Sequence, residues 1–440
     1  MESVARCEGP AGNDLYLVRQ TANARLAVSA RPTPMPDRST TRSIVFVVLA
    51  GCLISMLGFG ARSSFGLFLE PISAERGWGR ETFAIALAVQ NLMWGIAVPF
   101  ASALADRYGP SRVLAAGALT YAAGTWGMTI SETALTLNLY AGILTGLGVA
   151  LSSFSIALAA MIRVVPTEKQ SFVLGIGTAA GSLGQVVFSP LSQRLINDIG
   201  WDGSLVFLAL SVLLILPLAF VLPRGADFGD DSPIKQSIGD AVTEALQHRG
   251  YLLLTAGFFV CGFHVAFISV HLPAYVRDLE LDPGVGAWAI AVIGLMNLVG
   301  SFAAGLAGKR WPKKVSLAAI YSLRALAILM LSVLPKTATT IYLFAAFMGL
   351  LWLSTVPLTS GIVAQVFGAR YMATLFGIVF FGHQLGSFTG VWLGGYLYDR
   401  TGNYDAMWWL GIALSLVATA LHLPINERPL ARLAAARGGG

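Results

Sequence analysis

The sequence predicts an all-α, polytopic membrane protein of twelve transmembrane helices in two pseudo-symmetric six-helix bundles. Three observations carry this. Of the 440 residues, 55% are hydrophobic and only 12% charged, with a mean hydropathy of +0.69, which is too apolar for a chain that folds in water. Apolar runs long enough to cross about 30 Å of hydrocarbon as helices recur twelve times. The two sets of six also match at one spacing: "LADRYGPSRV" at 104–113 lies over "LAGKRWPKKV" at 306–315, an offset of 202 that also places Gly175 on Gly377, Gly184 on Gly386 and Gly200 on Gly402. Duplicated bundles of this kind are how many secondary transporters are built, with the substrate held near the midplane between them.

Taken in order, residues 1–42 are polar and arginine-rich, an expected cytoplasmic tail in which the apolar run begins too late for a secretory signal. Met35, just before "PDRSTTRS", is an alternative natural start. The first bundle is expected at 43–223, with helices near 44–69, 82–104, 113–131, 136–162, 172–195 and 203–223. A polar linker covers 224–250. The second bundle follows at 251–424, with helices near 251–276, 285–307, 315–334, 339–366, 372–397 and 405–424, and then a cytoplasmic tail at 425–440.

Lysine and arginine set the orientation. Six of the 29 fall on one side (Arg76, Arg80, Arg194, Arg277, Lys336, Arg400), two lie inside runs (Arg62, Arg324), and all others share the side of the termini. Both termini are therefore expected in the cytoplasm. The net charge of +6 sits between apolar runs, so it reads as a topology signal and not as a nucleic-acid surface. Cys7, Cys52 and Cys261 have no metal-like spacing. No GxxxxGK[ST] loop is present, and "AGSLG" around Ser182 lies within a helix, so neither primary pumping nor hydrolysis is supported. The expectation is a protein that is not an enzyme and has no cofactor, functional as a monomer in a bacterial inner membrane.

"ALADRYGPSR" after the second run resembles the loop motif of the major facilitator superfamily, with Asp106, Arg107, Gly109 and Arg112 in place and Ser102 where glycine is usual. "RSSFGLFLEPISAERGW" and "GTAAGSLGQVVFSPLSQRLINDIGW" are similar to the monocarboxylate transporter family and its bacterial relatives. The resemblance covers about 43–424. It implies that the Asp106 loop is a conformational latch. From the residues alone, Asp106 is expected at the start of the third helix, where exposed N–H groups favour a carboxylate. Gly109 would allow the tight turn, and Arg107 and Arg112 would reach carbonyl ends of neighbouring helices. Plain topogenic charge is the alternative, since Gly308 stands where the second half would carry the carboxylate.

Arg62 is the strongest candidate for a substrate contact. Its position resembles the first-helix lysine that the family uses for substrate and proton, and Gly58 and Gly66 at i−4 and i+4 would leave its face open; snorkelling to the interface is the alternative. A charge near the membrane midplane costs at least about 2.5 kcal/mol, so a partner is expected. All 23 Asp and Glu fall in tails, loops or helix ends, leaving an anionic substrate as the missing partner. Arg324, central in the ninth run, either contacts substrate or bonds carbonyls and braces the second bundle.

In the eighth run, Asn297 and Ser301 stand where the monocarboxylate family often has an aspartate and an arginine, so protons would have to travel elsewhere. His264 and His383 are the candidates, since histidine changes charge near neutral pH, and His271 lies one heptad beyond His264. Ordinary hydrogen-bonded histidines are the competing reading. Asn91 and Gln384 are further cavity candidates that could equally be interhelical bonds. Gly382, Gly386, Gly390 and Gly394 form an i+4 ridge expected at a packed, mobile interface. Together these predict a secondary transporter of a small organic anion with a proton as coupling ion; efflux of another small molecule and a non-transporting sensor are the alternatives.

Overall fold

The structure is a computed structural model that describes residues 38–222, 237–368 and 371–430. It divides into two compact units, Met1–Val45 and Phe46–Gly440, and the packing below is that of the second. Residues 1–37 of the predicted tail and 224–236 of the predicted linker lie outside the described residues.

Helix α1 (Arg38–Ser63) continues through a 3-10 turn, Phe65–Phe68, into Leu69–Arg76. Ser63 and Ser64 cause this break locally, because their hydroxyls bond the carbonyl of Gly60 in place of backbone N–H groups. Then come α2 (Arg80–Tyr108), α3 (Pro110–Gly127) and α4, which is built of Ala134–Leu137, the π-helical Asn138–Leu144, Thr145–Leu151 and Phe154–Ile162. Gly200, at φ 82°, turns the helical run Thr167–Leu213 into α5 (167–199) and α6 (201–213, continued by Ile215–Ala219). After a short amphipathic helix, Ile238–Gln247, the second half holds α7 (Arg249–Asp278), α8 (Pro283–Arg310) and α9 (Lys313–Val333). It ends with α10 (Ala338–Leu351 and Thr355–Phe367), α11 (Met372–Thr401) and α12 (Asp405–His422).

Among the described residues, nine helical runs are long and apolar enough to span a membrane. One of them, Phe172–Ala219, contains both α5 and α6. With α3 and α11, helical over 18 and 30 residues, the set is consistent with twelve.

The duplication extends to a shared defect. α4 breaks at Ser152, whose hydroxyl bonds the carbonyl of Gly148 at 2.7 Å. α10 breaks 202 residues later at Ser354, whose hydroxyl bonds the carbonyl of Leu350 at 2.6 Å. Each hydroxyl bonds back to the carbonyl four residues earlier, which at Gly148 is shared with the backbone N–H of Ser152, and such back-bonding bends both helices at the same depth.

The halves meet along three seams: α2 with α11, α5 with α8, and the end of α1 with α7. On α5 and α8, Gln185 donates to the carbonyl of Ile290 at 2.9 Å, and Asn297 donates to Ser182 at 3.0 Å. These seams close toward the face where α1 ends and α2 begins, here termed the distal face. Toward the opposite, terminal face they part. Gly175 and Gly377 lie one heptad toward that face from Ser182 and Gln384, and Gly305 lies eleven residues from Gly294. A side chain at any of the three would meet nothing within 4 Å.

The glycine ridge on α11 corrects an expectation. A methyl at Gly386 would collide with the backbone carbonyl of Phe259, and one at Gly390 would come within 2.5 Å of that of Phe263. The ridge therefore packs α11 onto α7 inside the second half and is not the moving surface. The glycines between halves are Gly66, Gly79, Gly95, Gly294 and Gly395. Gly66 lets the end of α1 press against the backbone of Ser269 and Val270 on α7, so it does not open a cavity beside Arg62.

Candidate functional site

Arg62 occupies the last turn of the first segment of α1, where the free carbonyl ends of the helix favour a cation. Its Nη2 donates to Oδ1 of Asn91 at 2.5 Å, and its guanidinium carbon lies 4.5 Å from the ring centre of Trp94. Around it is a small cavity of about 20 Å³, room for about one water, lined by Ser55, Gly58, Phe59, Trp94, Tyr121 and Ser152 among others. Tyr121 is fixed by a bond to the carbonyl of Gly58 at 3.1 Å. Among the described residues no carboxylate pairs with Arg62. Its Nε and the Nε1 of Trp94 are both buried without an acceptor, leaving two unused donors beside one small cavity.

The structure joins four of the candidates into one chain. Asn91 anchors its amide to the carbonyl of Leu87 at 2.8 Å and accepts from Arg62, while its own carbonyl accepts from Gln384 Nε2 of the other half at 3.2 Å. The Oε1 of Gln384 faces His383 Nδ1 at 3.0 Å and accepts from Ser387 at 3.3 Å. His383 lies over Phe380, with ring centres 5.7 Å apart, and Phe380 in turn packs against Trp94 at 5.4 Å. Polar and aromatic contacts thus link Arg62 to His383 across the α2–α11 seam.

The other candidates lie apart. His264 is buried, and its Nε2 faces the carbonyl of Gly411 on α12 at 2.9 Å, so it points into the second half and not to Arg62. Asn297 spans the α5–α8 seam and accepts from the backbone N–H of Leu353 at 3.0 Å, next to the α10 break. Arg324 is fully buried and donates to the carbonyls of Leu351 and Trp352 at 2.7 and 2.6 Å. The break at Trp352–Ser354 strips those carbonyls of helical partners, and the guanidinium supplies replacements. Of the two readings of Arg324, the carbonyl brace is the one the geometry displays. Arg324→Met should orphan both carbonyls at about 1–3 kcal/mol each, giving a lower melting temperature and little change in the substrate KM of the folded fraction. A shifted KM with unchanged melting would instead make Arg324 part of the binding site.

The loop motif also differs in detail from the expectation. Gly109 does take the left-handed turn, at φ 88°. Asp106 lies in the last turn of α2 and pairs with Arg163 at 3.2 Å, whereas α3 starts at Pro110 with no side-chain cap. The carboxylate therefore braces α2 against the end of α4. Arg107 and Arg112 are exposed, and Arg107 lies over the Tyr108 ring at 5.3 Å.

Sequence reasoning missed the distal gate. Arg80 forms a bidentate pair with Asp278 at 2.6 and 2.7 Å, donates to the hydroxyl of Tyr404 at 3.1 Å and stacks over Tyr398 at 3.7 Å. Asp399 accepts from the backbone N–H groups of Arg80 and Glu81, both at 2.9 Å, and so caps α2 from the other half. Trp392 and Arg400 bond Glu81, and Arg277 pairs with Glu70. Each charge lies at a helix end, where sequence alone reads it as a topology signal.

Fold and site together describe a membrane transporter: two duplicated helical halves, one face closed by ion pairs, the other parted, and a cation in the first half linked through Asn91 and Trp94 to the second. The match to known proteins agrees. The family profile of the Major Facilitator Superfamily matches residues 51–390 and 254–439, and the chain belongs to that superfamily. It is 28% identical to monocarboxylate transporter 13 of Bos taurus over 364 residues, 82% of this chain and 84% of that one. It is 23% identical to the MFS-type transporter YcxA of Bacillus subtilis (strain 168) over 382 residues, 83% of this chain and 91% of that one. Among solved structures it resembles the inward open conformation of the xylose transporter XylE from E. coli at a TM-score of 0.67 and 14% identity, covering 87% of this chain and 96% of that one.

Proposed function

We propose that the chain is a secondary active transporter moving a small organic anion, a monocarboxylate, by alternating access with a coupled proton. The observation that carries this is Arg62: a guanidinium beside a small cavity in the first half, next to the α2–α11 seam, with an unused Nε–H, a neighbouring unused Trp94 N–H and, among the described residues, no carboxylate partner. A carboxylate fits this donor set, since a planar guanidinium offers paired N–H groups to two oxygens. The names of relatives such as monocarboxylate transporter 13 favour the same substrate class. The segments 43–223 and 251–424 act as the two rocking bodies, working as a monomer in a bacterial inner membrane. With both termini cytoplasmic, the parted face opens inward.

A proteoliposome uptake screen over mono-, di- and aromatic carboxylates at two pH values tests this. Saturable uptake of one carboxylate class, faster with acid outside, is expected; uptake of none would overturn the reading. The Asp106 loop is assigned to conformational control. Asp106→Asn weakens the brace to Arg163 and should change labelling from the two sides more than substrate affinity. Unchanged labelling with weakened binding would contradict that assignment.

A further inference from the structure

We propose that His271 is a proton-binding site that unlocks the distal gate. His271 is fully buried on α7, and both ring nitrogens are engaged. Nε2 lies 2.9 Å from the carbonyl of Val391, which can only accept, so Nε2 carries the hydrogen. Nδ1, 3.0 Å from the hydroxyl of Tyr404, is then the acceptor, and the phenol donates to it. The same phenol oxygen accepts from Arg80, whose guanidinium is paired with Asp278. The relay runs Asp278, Arg80, Tyr404, His271, and it crosses between the halves.

Closed, this relay accommodates only a neutral imidazole. A proton on Nδ1 would turn the acceptor into a donor aimed at an oxygen that already accepts from Arg80. The phenol hydrogen would lose its acceptor, and a second cation would stand one hydroxyl away from the first. Counter-charge around the ring is committed elsewhere. Asp278, one heptad along α7, is held by Arg80, and Asp399 caps α2. Glu81 faces Trp392 and Arg400, and Glu70 pairs with Arg277. The remaining titratable neighbours, Tyr275, Tyr398 and Tyr404, are phenols, and α8 has no charged residue from Pro283 to Asn297. Once the gate parts and water enters, the imidazolium is hydrated. Proton binding and gate opening are then linked, each favouring the other.

This deepens the proton-coupled transport reading, and its test uses no substrate. Spin labels at Glu132→Cys and Thr339→Cys, exposed distal positions on opposite halves, are introduced into full-length protein with its own cysteines replaced. Their separation is measured in nanodiscs between about pH 5 and pH 8, the range in which histidine titrates. The parent should gain a long-distance population as pH falls, with the open-to-closed ratio rising at least about 5-fold. His271→Gln, which cannot take the proton, should show the same distances at every pH. Tyr404→Phe keeps the histidine but cuts the relay, and should open more at all pH values with a weakened response. A parent that does not respond, or either variant responding like a responsive parent, would overturn the proposal. Failure of every carboxylate in the uptake screen with the pH response intact would indict the substrate assignment alone.

Discussion

Arg62→Gln should insert normally and lose carboxylate uptake. Removing one partner of a desolvated charge pair costs about 2–5 kcal/mol, so uptake should fall roughly 30-fold or more. Glutamine can still meet Asn91, so the local packing survives while the cation is lost. Arg62→Lys should fall between the two, because it keeps the charge but loses the planar fork. Uptake by proteoliposomes containing matched amounts of protein measures this. Unaltered kinetics in Arg62→Gln would return Arg62 to a merely snorkelling role. Trp94→Phe, which removes the indole N–H that lies unpaired beside Arg62 and keeps a smaller aromatic face under the guanidinium, is the milder companion test.

How much of this was readable beforehand follows from what periodicity records. Polar residues inside apolar runs are conspicuous, which is why Arg62, Asn91, Asn297, Arg324, His383 and Gln384 could all be picked out. Which of them meet was not readable, because helical spacing fixes a face but not its neighbour. Asn91 and Gln384 are 293 positions apart and touch only once α2 and α11 are packed. The same gap misassigned the α11 glycines, since i+4 spacing identifies a ridge whether it slides or is locked against α7. Trp94 was invisible, as an aromatic in an apolar helix carries no mark of having a cation over its face. Arg324 was conspicuous as a charge in an apolar run, but the carbonyls it holds, of Leu351 and Trp352, lie on another helix and are fixed only once α9 and α10 are packed. The gate charges at Arg80, Asp278 and Asp399 obey the charge-distribution rule and bridge the halves, and sequence registers only the first property.

The distinction between glycines inside a half and glycines between halves gives the second large expected effect. At Gly395 on α11 an added methyl would lie 2.7 Å from Ala84, 2.8 Å from the Cα of Glu81 and 2.9 Å from the carbonyl of Arg80, all on α2. Gly395→Leu therefore drives a wedge into the seam that the ion pairs close, while leaving the packing within each half intact. The folded protein should accumulate in the distal-open state, with labelling rising on the distal side and falling on the terminal side, and net transport should stop because the cycle cannot return. Gly386→Leu adds the same bulk to the same helix nine residues earlier, but against the backbone of Phe259 within the second half. No rocking motion relieves that clash, so the result should be loss of folded protein, since overpacking a close helix contact costs at least about 1–3 kcal/mol and here the obstacle is main chain. If Gly386→Leu yielded a stable protein with altered two-sided labelling, or if Gly395→Leu simply failed to fold, the assignment of the α2–α11 seam as the moving surface would have to be reversed.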